Sequence, residues 1–200
     1  MSSLLLFAAL SSAASAAPTL DSLAAAINAA PAWRASFTQR YVPAGFAEGT
    51  TDRGVVTVAP PVRLRFEYRG DSKQVFAVDG AVGRMVDPEA GSCDAMPLDN
   101  ATWGRLPLAA LLDPAAAGQA FESAAREATL VLVPREPMTE LARLEVTAGS
   151  DGLPATVVVL DAAGNRNEFG FRDWRRERDP GVEAFRPSLP GQPPCVPDQE

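Results

Sequence analysis

The stretch Gly54–Tyr68 constrains the fold of this chain more than any other part of its sequence. A run rich in β-branched residues, 55–58, is followed by the pair Pro60-Pro61, after which apolar and charged residues alternate strictly. The apolar positions are Leu64, Phe66 and Tyr68, and the charged positions are Arg63, Arg65 and Glu67. This period of two predicts a strand with one face toward an apolar interior and the other toward water. Because proline donates no hydrogen bond to a sheet, the prolines end one strand and begin the next.

Alternation and turn residues predict further strands along the chain. Trp33–Tyr41 also has a period of two, whereas Val42–Asp52 is typical of a loop or a frayed hairpin. The dipeptide Asp79-Gly80 predicts a tight hairpin, so neighbouring strands should pair as an antiparallel meander. The other predicted strands are Gln74–Val78, Val82–Val86, Cys93–Leu98, Ala128–Val133, Leu141–Thr147, Ala155–Asp161, Asn167–Phe171 and Ala184–Arg186.

Two segments follow a helical pattern instead. Leu20–Ala30 carries apolar residues at three- and four-residue spacing, and Pro31 ends it. Within Asn100–Ala117, an apolar segment with Pro107 near its first turn and Pro114 after its end predicts a short apolar helix in the middle of the meander. That helix must pack on a sheet face. The predicted fold class is therefore α+β, with one large, curled antiparallel sheet of about ten strands and helices on one side.

The first sixteen residues are typical of an export signal. Leu4–Leu10 is a short apolar core, and Ala14-Ser15-Ala16 matches an A-x-A cleavage signal. We therefore expect a signal peptide at 1–16 and one soluble, exported domain at 17–200, ending in a Pro-rich tail at 187–200. The residue directly after the cleavage position is Ala17 and not a cysteine, so we expect no lipid anchor. The net charge of −7 argues against nucleic acid or anionic headgroups as bulk partners, since both require a basic face.

The sequence lacks the residues of common catalytic and metal sites. It contains no histidine, and two cysteines about a hundred residues apart do not make a zinc site. Asp79, Asp87 and Asp161 lie near predicted strand ends, where a role in turns is simpler than catalysis. We expect no enzyme activity, metal or cofactor. Cys93 and Cys195 either stay unpaired or form a disulfide, which would contribute about 4–5 kcal/mol in the chain-entropy model.

The order of several segments resembles one known family. After the signal and the Ala-rich helix come ASFTQR (35–40), GVVTVAPPVRLRFEY (54–68) and VFAVDG (75–80). Later segments are LPLAALL (106–112), ATLVLVP (128–134), LDAAGNRNEFGF (160–171) and an F-x-P-x-x-P-G element (185–191). This combination covers nearly the whole chain, from Thr19 to Gly191. It resembles the periplasmic outer-membrane lipoprotein carrier family, the LolA type.

The resemblance implies a half-open antiparallel barrel of ten to eleven strands with a lid of short helices on its concave face. The cavity under the lid is taken to hold the acyl chains of a lipoprotein. Members of the family are periplasmic: they receive cargo from an ATP-driven exporter in the inner membrane and pass it to an acceptor lipoprotein at the outer membrane. We expect the same localisation and partners here, and a monomer.

Apolar side chains divide into two candidate sets. The candidates for cavity lining are Phe37, Leu64, Phe66, Phe76, Val78, Met85, Met96, Val157, Val159, Phe169 and Phe171. The candidates for the lid are Leu23, Ile27, Trp103, Leu106, Leu108, Leu111 and Leu112. Plain core packing accounts for each of these residues equally well, so both interpretations stay open. The alternating charged residues of 63–67 would form a solvated outer wall.

Pro60 departs from the family pattern. Many such carriers have Arg-Pro where this chain has Pro60-Pro61, and that arginine is understood to hold the lid through hydrogen bonds to helix backbone. Proline has no side-chain donor, so either Arg63, Arg65 or Arg105 takes over or lid control differs. Two alternative functions stay open: a carrier of another lipid or glycolipid, and an envelope-stress sensor or regulator that binds a protein.

Overall fold

The computed structural model describes residues 17–70, 73–98 and 109–197. These residues form helices α1 (Leu20–Asn28), α2 (Ala109–Leu112) and α3 (Pro114–Ala120) and a 3₁₀ helix at Val182–Phe185. The strands are β1 (Ala32–Val42), β2 (Thr50–Ala59), β3 (Arg63–Tyr68), β4 (Val75–Val78), β5 (Val82–Asp87), β6 (Ser92–Pro97), β7 (Phe121–Arg126), β8 (Thr129–Pro134), β9 (Arg143–Ala148), β10 (Pro154–Leu160) and β11 (Arg166–Glu177).

All eleven strands of the described ranges belong to one antiparallel sheet. Their order is β6-β5-β4-β3-β2-β1-β11-β10-β9-β8-β7. The first and last strands, β1 and β11, pair at the centre, and β6 and β7 lie at opposite edges. The sheet is therefore open, as a half-barrel is. The predicted curled antiparallel fold with a few short helices is confirmed.

The structure differs from the local predictions in three places. Residues 50–52 extend β2 and pair with β1, because a polar hairpin can form a ladder without any apolar alternation. Strand β7 was not predicted, since Phe121 is its one buried residue and no alternation marks it. The segment Ala184–Arg186 is not a strand. Gly181, at φ +79°, precedes a 3₁₀ turn there, and the Arg186 N–H donates to the Glu183 carbonyl oxygen at 3.1 Å.

The helices begin at side-chain caps and bury one face. Thr19 and Ser22 form a capping box at α1, each side chain accepting from the other residue's N–H at 3.1 and 2.9 Å. Asp113 caps α3 by accepting from the Ala116 N–H at 2.9 Å. The apolar stripe of α1, which includes Leu23 and Ile27, is buried. Within the described ranges, no helix is long and apolar enough to cross a membrane.

Residues 179–197, here called the strap, cover part of the convex face. Phe185 is fully buried there with Ala32 and Ala59. Arg63 donates to both carboxylate oxygens of Asp179 at 2.8 Å, and Arg65 donates to the Ala184 carbonyl oxygen at 3.0 Å. The side chains of Arg63 and Arg65 are consequently only 16% and 24% exposed. The expectation of a solvated wall was wrong at these two positions, because the strap lies over them.

Farther along, the strap is joined to β5 and β6. Arg84 on β5 donates through Nε to the Cys195 carbonyl oxygen at 2.9 Å and through Nη1 to Asp79 Oδ2 at 2.8 Å. Arg186 of the strap donates to the same Asp79 oxygen at 2.9 Å. Cys195 forms a disulfide with Cys93 on β6, with their Cα atoms 6.0 Å apart. Charge pairing and a covalent bond therefore both hold the strap to the sheet.

Candidate functional site

The concave face of the central strands is aromatic. Phe37 on β1 lies directly opposite Phe171 on β11. The ring of Phe37 meets that of Phe66, on β3, edge to face with centroids 5.0 Å apart. Phe66 in turn lies 5.7 Å from Phe169, which stacks on Phe171 at 6.3 Å. Period-two strands thus bring rings that are distant in sequence into one apolar floor.

A glycine on β2 makes room for this floor. Gly54 pairs with Phe37 on one side and Tyr68 on the other. A Cβ atom at position 54 would lie 2.6 Å from Phe37 Cε1 and would also collide with the backbone oxygen of Glu67. Glycine in a strand interior commonly marks such a close approach. The Phe37 ring therefore packs directly over backbone.

The lid helices and the concave face form one continuous apolar cluster. Leu23 and Ile27 of α1 and Leu111 and Leu112 of α2 belong to it, with exposures between 0% and 7%. The predicted lining residues that belong to the same cluster are Phe37, Leu64, Phe66, Val78, Val157, Val159, Phe169 and Phe171. Phe76 packs against it. The structure therefore places most described candidates of both sets side by side.

Two described candidates lie outside this cluster. Met85 pairs with Phe76 and Met96 pairs with Gly83, so both methionines are on the concave side near the β6 edge. Neither belongs to the apolar cluster, and Met96 is 41% exposed. The predicted lid residues Trp103, Leu106 and Leu108 lie outside the described residues.

A small cavity lies at the contact between the sheet and helices α1 and α2. Its volume is about 10 Å³, and its lining residues are Ile27, Trp33, Val58, Leu111, Leu112, Leu153, Pro154 and Trp174. That volume is at the lower limit for a single water molecule, whereas drug-sized ligands occupy pockets of about 300–1,000 Å³. Among the described residues, Ile27, Leu111 and Leu112 fill this part of the space, so an acyl chain fits at this position only after they move.

Several residues of this site were not among the sequence candidates. Trp33 was placed on an apolar strand face but not in the site, and Leu153 and Trp174 were not selected. Trp174 follows Phe171 in a stretch dominated by charges, which hides its apolar role. A second group, on the concave face of β8 and β9, comprises Leu130, Leu132, Leu144 and Val146. Alternation in β9, where charged residues flank Leu144, is the signal that could have identified its part of this group, whereas β8 is apolar throughout 130–133.

One end of the aromatic floor carries a polar chain of hydrogen bonds. The Tyr68 hydroxyl donates to Gln39 Oε1 at 2.6 Å, and Gln39 Nε2 donates to Asn167 Oδ1 at 3.0 Å. Burial raises the pKa of Tyr68 to about 12, and the negative charge of Asp52 acts in the same direction. The phenol therefore stays protonated at neutral pH, as a neutral hydrogen-bond donor beside the apolar floor.

Two of the three candidate lid-holding arginines lie on the other side of the sheet. Arg63 and Arg65 bind the strap on the convex face, so neither of these two holds the lid, and Arg105 lies outside the described residues. A different donor connects sheet and lid. The Trp33 indole N–H, on β1, donates to the Ile27 carbonyl oxygen of α1 at 2.8 Å in a buried contact.

An open antiparallel sheet with a helical lid over an apolar concave face is the half-barrel architecture of lipoprotein carriers. The family model described as "Outer membrane lipoprotein carrier protein LolA" matches residues 28–188. The chain belongs to this family. Membership agrees with the resemblance seen in the sequence.

Individual relatives agree with this assignment. The outer-membrane lipoprotein carrier protein of Xanthomonas axonopodis pv. citri (strain 306) is 30% identical over 159 residues, 75% of this chain and 74% of its own. The protein of that name from Xanthomonas campestris pv. campestris (strain B100) is 28% identical over 157 residues, with the same coverage. The crystal structure of an uncharacterized conserved protein from Thermus thermophilus shares the fold, with a TM-score of 0.51 at 13% identity. The match covers 86% of this chain and 93% of that one.

Proposed function

We propose that the protein binds the acyl chains of lipoproteins against its aromatic concave face and carries them through the periplasm. The observation that supports this most is the single apolar cluster shared by the lid and the sheet floor. Residues that pack against each other in the closed state would become the two walls of an apolar cavity when they separate. In this role the protein would act through binding and release alone, without enzyme activity.

The physical need for such a carrier follows from the cargo. Each methylene of an acyl chain costs about 0.8 kcal/mol to expose to water, so a triacylated protein cannot cross an aqueous compartment unaided. A carrier must also release its cargo. A lid whose own leucines refill the cavity offers a competitor for the acyl chains, because closure regains the apolar contacts that the ligand gave up.

The route is the finer part of the proposal. An export signal at 1–16 would place the protein in the periplasm. An inner-membrane ATP-driven exporter would supply the cargo, and an outer-membrane acceptor lipoprotein would take it. The names of the relatives support lipoprotein as cargo. A monomer with one cavity suffices for this role.

A protein-binding regulator on the same sheet would also have a filled interior. What favours a carrier is the origin of the filling side chains. Leu111, Leu112 and Ile27 come from short helices and not from the sheet, so the interior can empty without unpairing a strand. Another acyl lipid remains a second candidate cargo, favoured by Pro60 in place of the family's lid-holding arginine.

The test is acyl binding and its dependence on lid motion. We expect the purified protein to bind a fluorescent triacylated lipopeptide saturably, and native mass spectrometry to show a one-to-one complex. The same peptide without acyl chains should not bind. Absence of acyl binding by both methods would overturn the proposal, and preference for a diacyl glycolipid over the lipopeptide would select the second cargo.

Two matched cysteine pairs test the lid. A Cβ at Gly152 lies 3.4 Å from Ala26 Cβ on α1, and a Cβ at Gly164 lies 3.5 Å from Ala44 Cβ in loops distant from the lid. Both spacings are close to the range of about 3.5–4.5 Å found in disulfides, and both glycines have positive φ. We expect oxidised A26C/G152C to bind lipopeptide at least tenfold more weakly, with recovery on reduction. Oxidised A44C/G164C should bind normally. Equal binding by both oxidised variants would show that α1 need not move.

A further inference from the structure

We propose that Trp33 is the residue that holds the lid closed. Its indole N–H and the Ile27 carbonyl oxygen form what we call the latch. This inference rests on the proposed function, and it names the residue that regulates access to the same cavity. Trp33 is 8% exposed, and the hydrogen bond of 2.8 Å is buried.

The acceptor of the latch is a helix-end carbonyl that needs a partner. The last four carbonyl groups of a helix have no partner within the helix, and α1 ends one residue after Ile27. The residue after the helix, Ala29, has a right-handed conformation, and no basic residue lies in the last turn. Neither a glycine cap nor a side-chain cation is therefore supplied by α1 itself. The indole satisfies the Ile27 carbonyl as long as α1 lies on the sheet.

The donor of the latch is fixed to the sheet and not to the lid. Trp33 is a ladder residue of β1, paired with Val58 on β2 and Arg176 on β11. The Arg176 guanidinium lies over the Trp33 ring, 5.4 Å from its centroid. This cation–π contact comes from β11, which pairs with β1, and it holds the ring in place. Breaking the latch therefore releases α1 and leaves the strands paired.

The latch borders the space that a ligand would use. Trp33 and Ile27 both line the cavity of about 10 Å³, together with Leu111 and Leu112 of α2. When α1 moves away, water can replace the indole at the Ile27 carbonyl, so opening costs the lost apolar contact plus the net free energy of one buried hydrogen bond. An indole N–H is a donor only and does not titrate in the ordinary pH range. Access controlled by this latch should consequently be independent of pH across neutrality.

The test compares two tryptophans of the same cavity. Trp33→Phe removes the donor and keeps an aromatic ring. The matched control is Trp174→Phe, because Trp174 also lines the cavity but donates its N–H to the Pro154 carbonyl oxygen, at 2.8 Å, and not to the lid. We expect W33F to take up the labelled lipopeptide about tenfold faster than W174F, whose rate measures the effect of losing the same ring volume without losing the hydrogen bond to α1. Amide exchange in α1 of the unliganded protein should also rise in W33F alone.

Each outcome decides one question. Equal uptake rates and unchanged α1 exchange in both variants would overturn the latch while leaving the carrier function in place. Failure of the wild type to take up lipopeptide would overturn the carrier function, and α1 exchange would still test the latch. If W33F does not fold, 3-benzothienylalanine at position 33 keeps the bicyclic ring without the N–H, and the same comparison applies. Faster uptake with 3-benzothienylalanine than with tryptophan at position 33 supports the latch.

Discussion

At the scale of single residues, Asp79 is the polar centre of the convex side. Its carboxylate accepts from Arg84 at 2.8 Å, from Arg186 at 2.9 Å, and from the backbone N–H groups of Ala81 and Val82 at 3.1 and 2.9 Å. Its side chain is 4% exposed. Burial alone would raise the pKa of Asp79, but the hydrogen bonds from Arg84, the two backbone groups and Arg186 outweigh it and lower the pKa to about 2.

We expect Asp79→Asn to reduce the free energy of unfolding by about 3 kcal/mol at pH 7, since it leaves the buried Arg84 without its counter-charge. Because the folded pKa is below the ordinary value of 3.8, the ionised carboxylate stabilises fully above that value, and the effect is lost as pH falls through about 2. Urea unfolding from pH 7 to pH 2 should therefore show the difference between wild type and variant shrinking below pH 4. The control Glu89→Gln, at an exposed pair with Lys73, should change little at any pH. A difference for D79N that stays constant down to pH 2 would contradict this assignment.

Sequence patterns identify such residues only in part. The Asp79-Gly80 turn was predicted because turn chemistry is local. The contact of Asp79 with Arg186, 107 positions away, depends on where the strap runs, and no local pattern encodes that. Trp33 is a similar case. Alternation placed it on the apolar face, but the meeting of its N–H with Ile27 depends on the bend between α1 and β1.

At the scale of elements, the strap is the part that sequence reasoning described least well. Its 3₁₀ helix was predicted as a strand, and its contacts through Phe185 and the arginines were not predicted. Strands with one apolar face were predicted because alternation with a period of two indicates that one side of the strand is buried. The strap has no such period, since it rests on the sheet through separate contacts: the Phe185 ring, the paired arginines and Cys195.

Phe185 should dominate the strap's contribution to stability. We expect Phe185→Ala to lower the free energy of unfolding by about 3–5 kcal/mol, as truncation of a fully buried ring does. Val182→Ala is the matched control in the same 3₁₀ helix, because Val182 is 38% exposed, and it should cost less than about 0.5 kcal/mol. Urea denaturation followed by circular dichroism measures both. Similar losses for the two variants would mean that Phe185 is not a packing anchor.

At the scale of the whole molecule, the first and last described strands, β1 and β11, pair with each other at the centre of the sheet. The half formed by β2–β6 carries the strap on its convex side, and the half formed by β7–β11 carries none of the strap contacts described above. The sheet was predictable as a meander because consecutive strands pair. The central pairing was not predicted, since no local signal links residues 32–42 to 166–177.

The disulfide between Cys93 and Cys195 closes a covalent ring in this molecule. The two residues are 102 positions apart, and the ring between them contains the lid segment α2–α3 and strands β7–β11. A single protease cut anywhere in that interval produces two polypeptides that stay attached. After limited proteolysis we expect one band on a non-reducing gel and two fragments once the disulfide is reduced; separate fragments without reductant would exclude the bond. A cut within the α2–α3 segment would therefore leave the two parts of the sheet covalently joined.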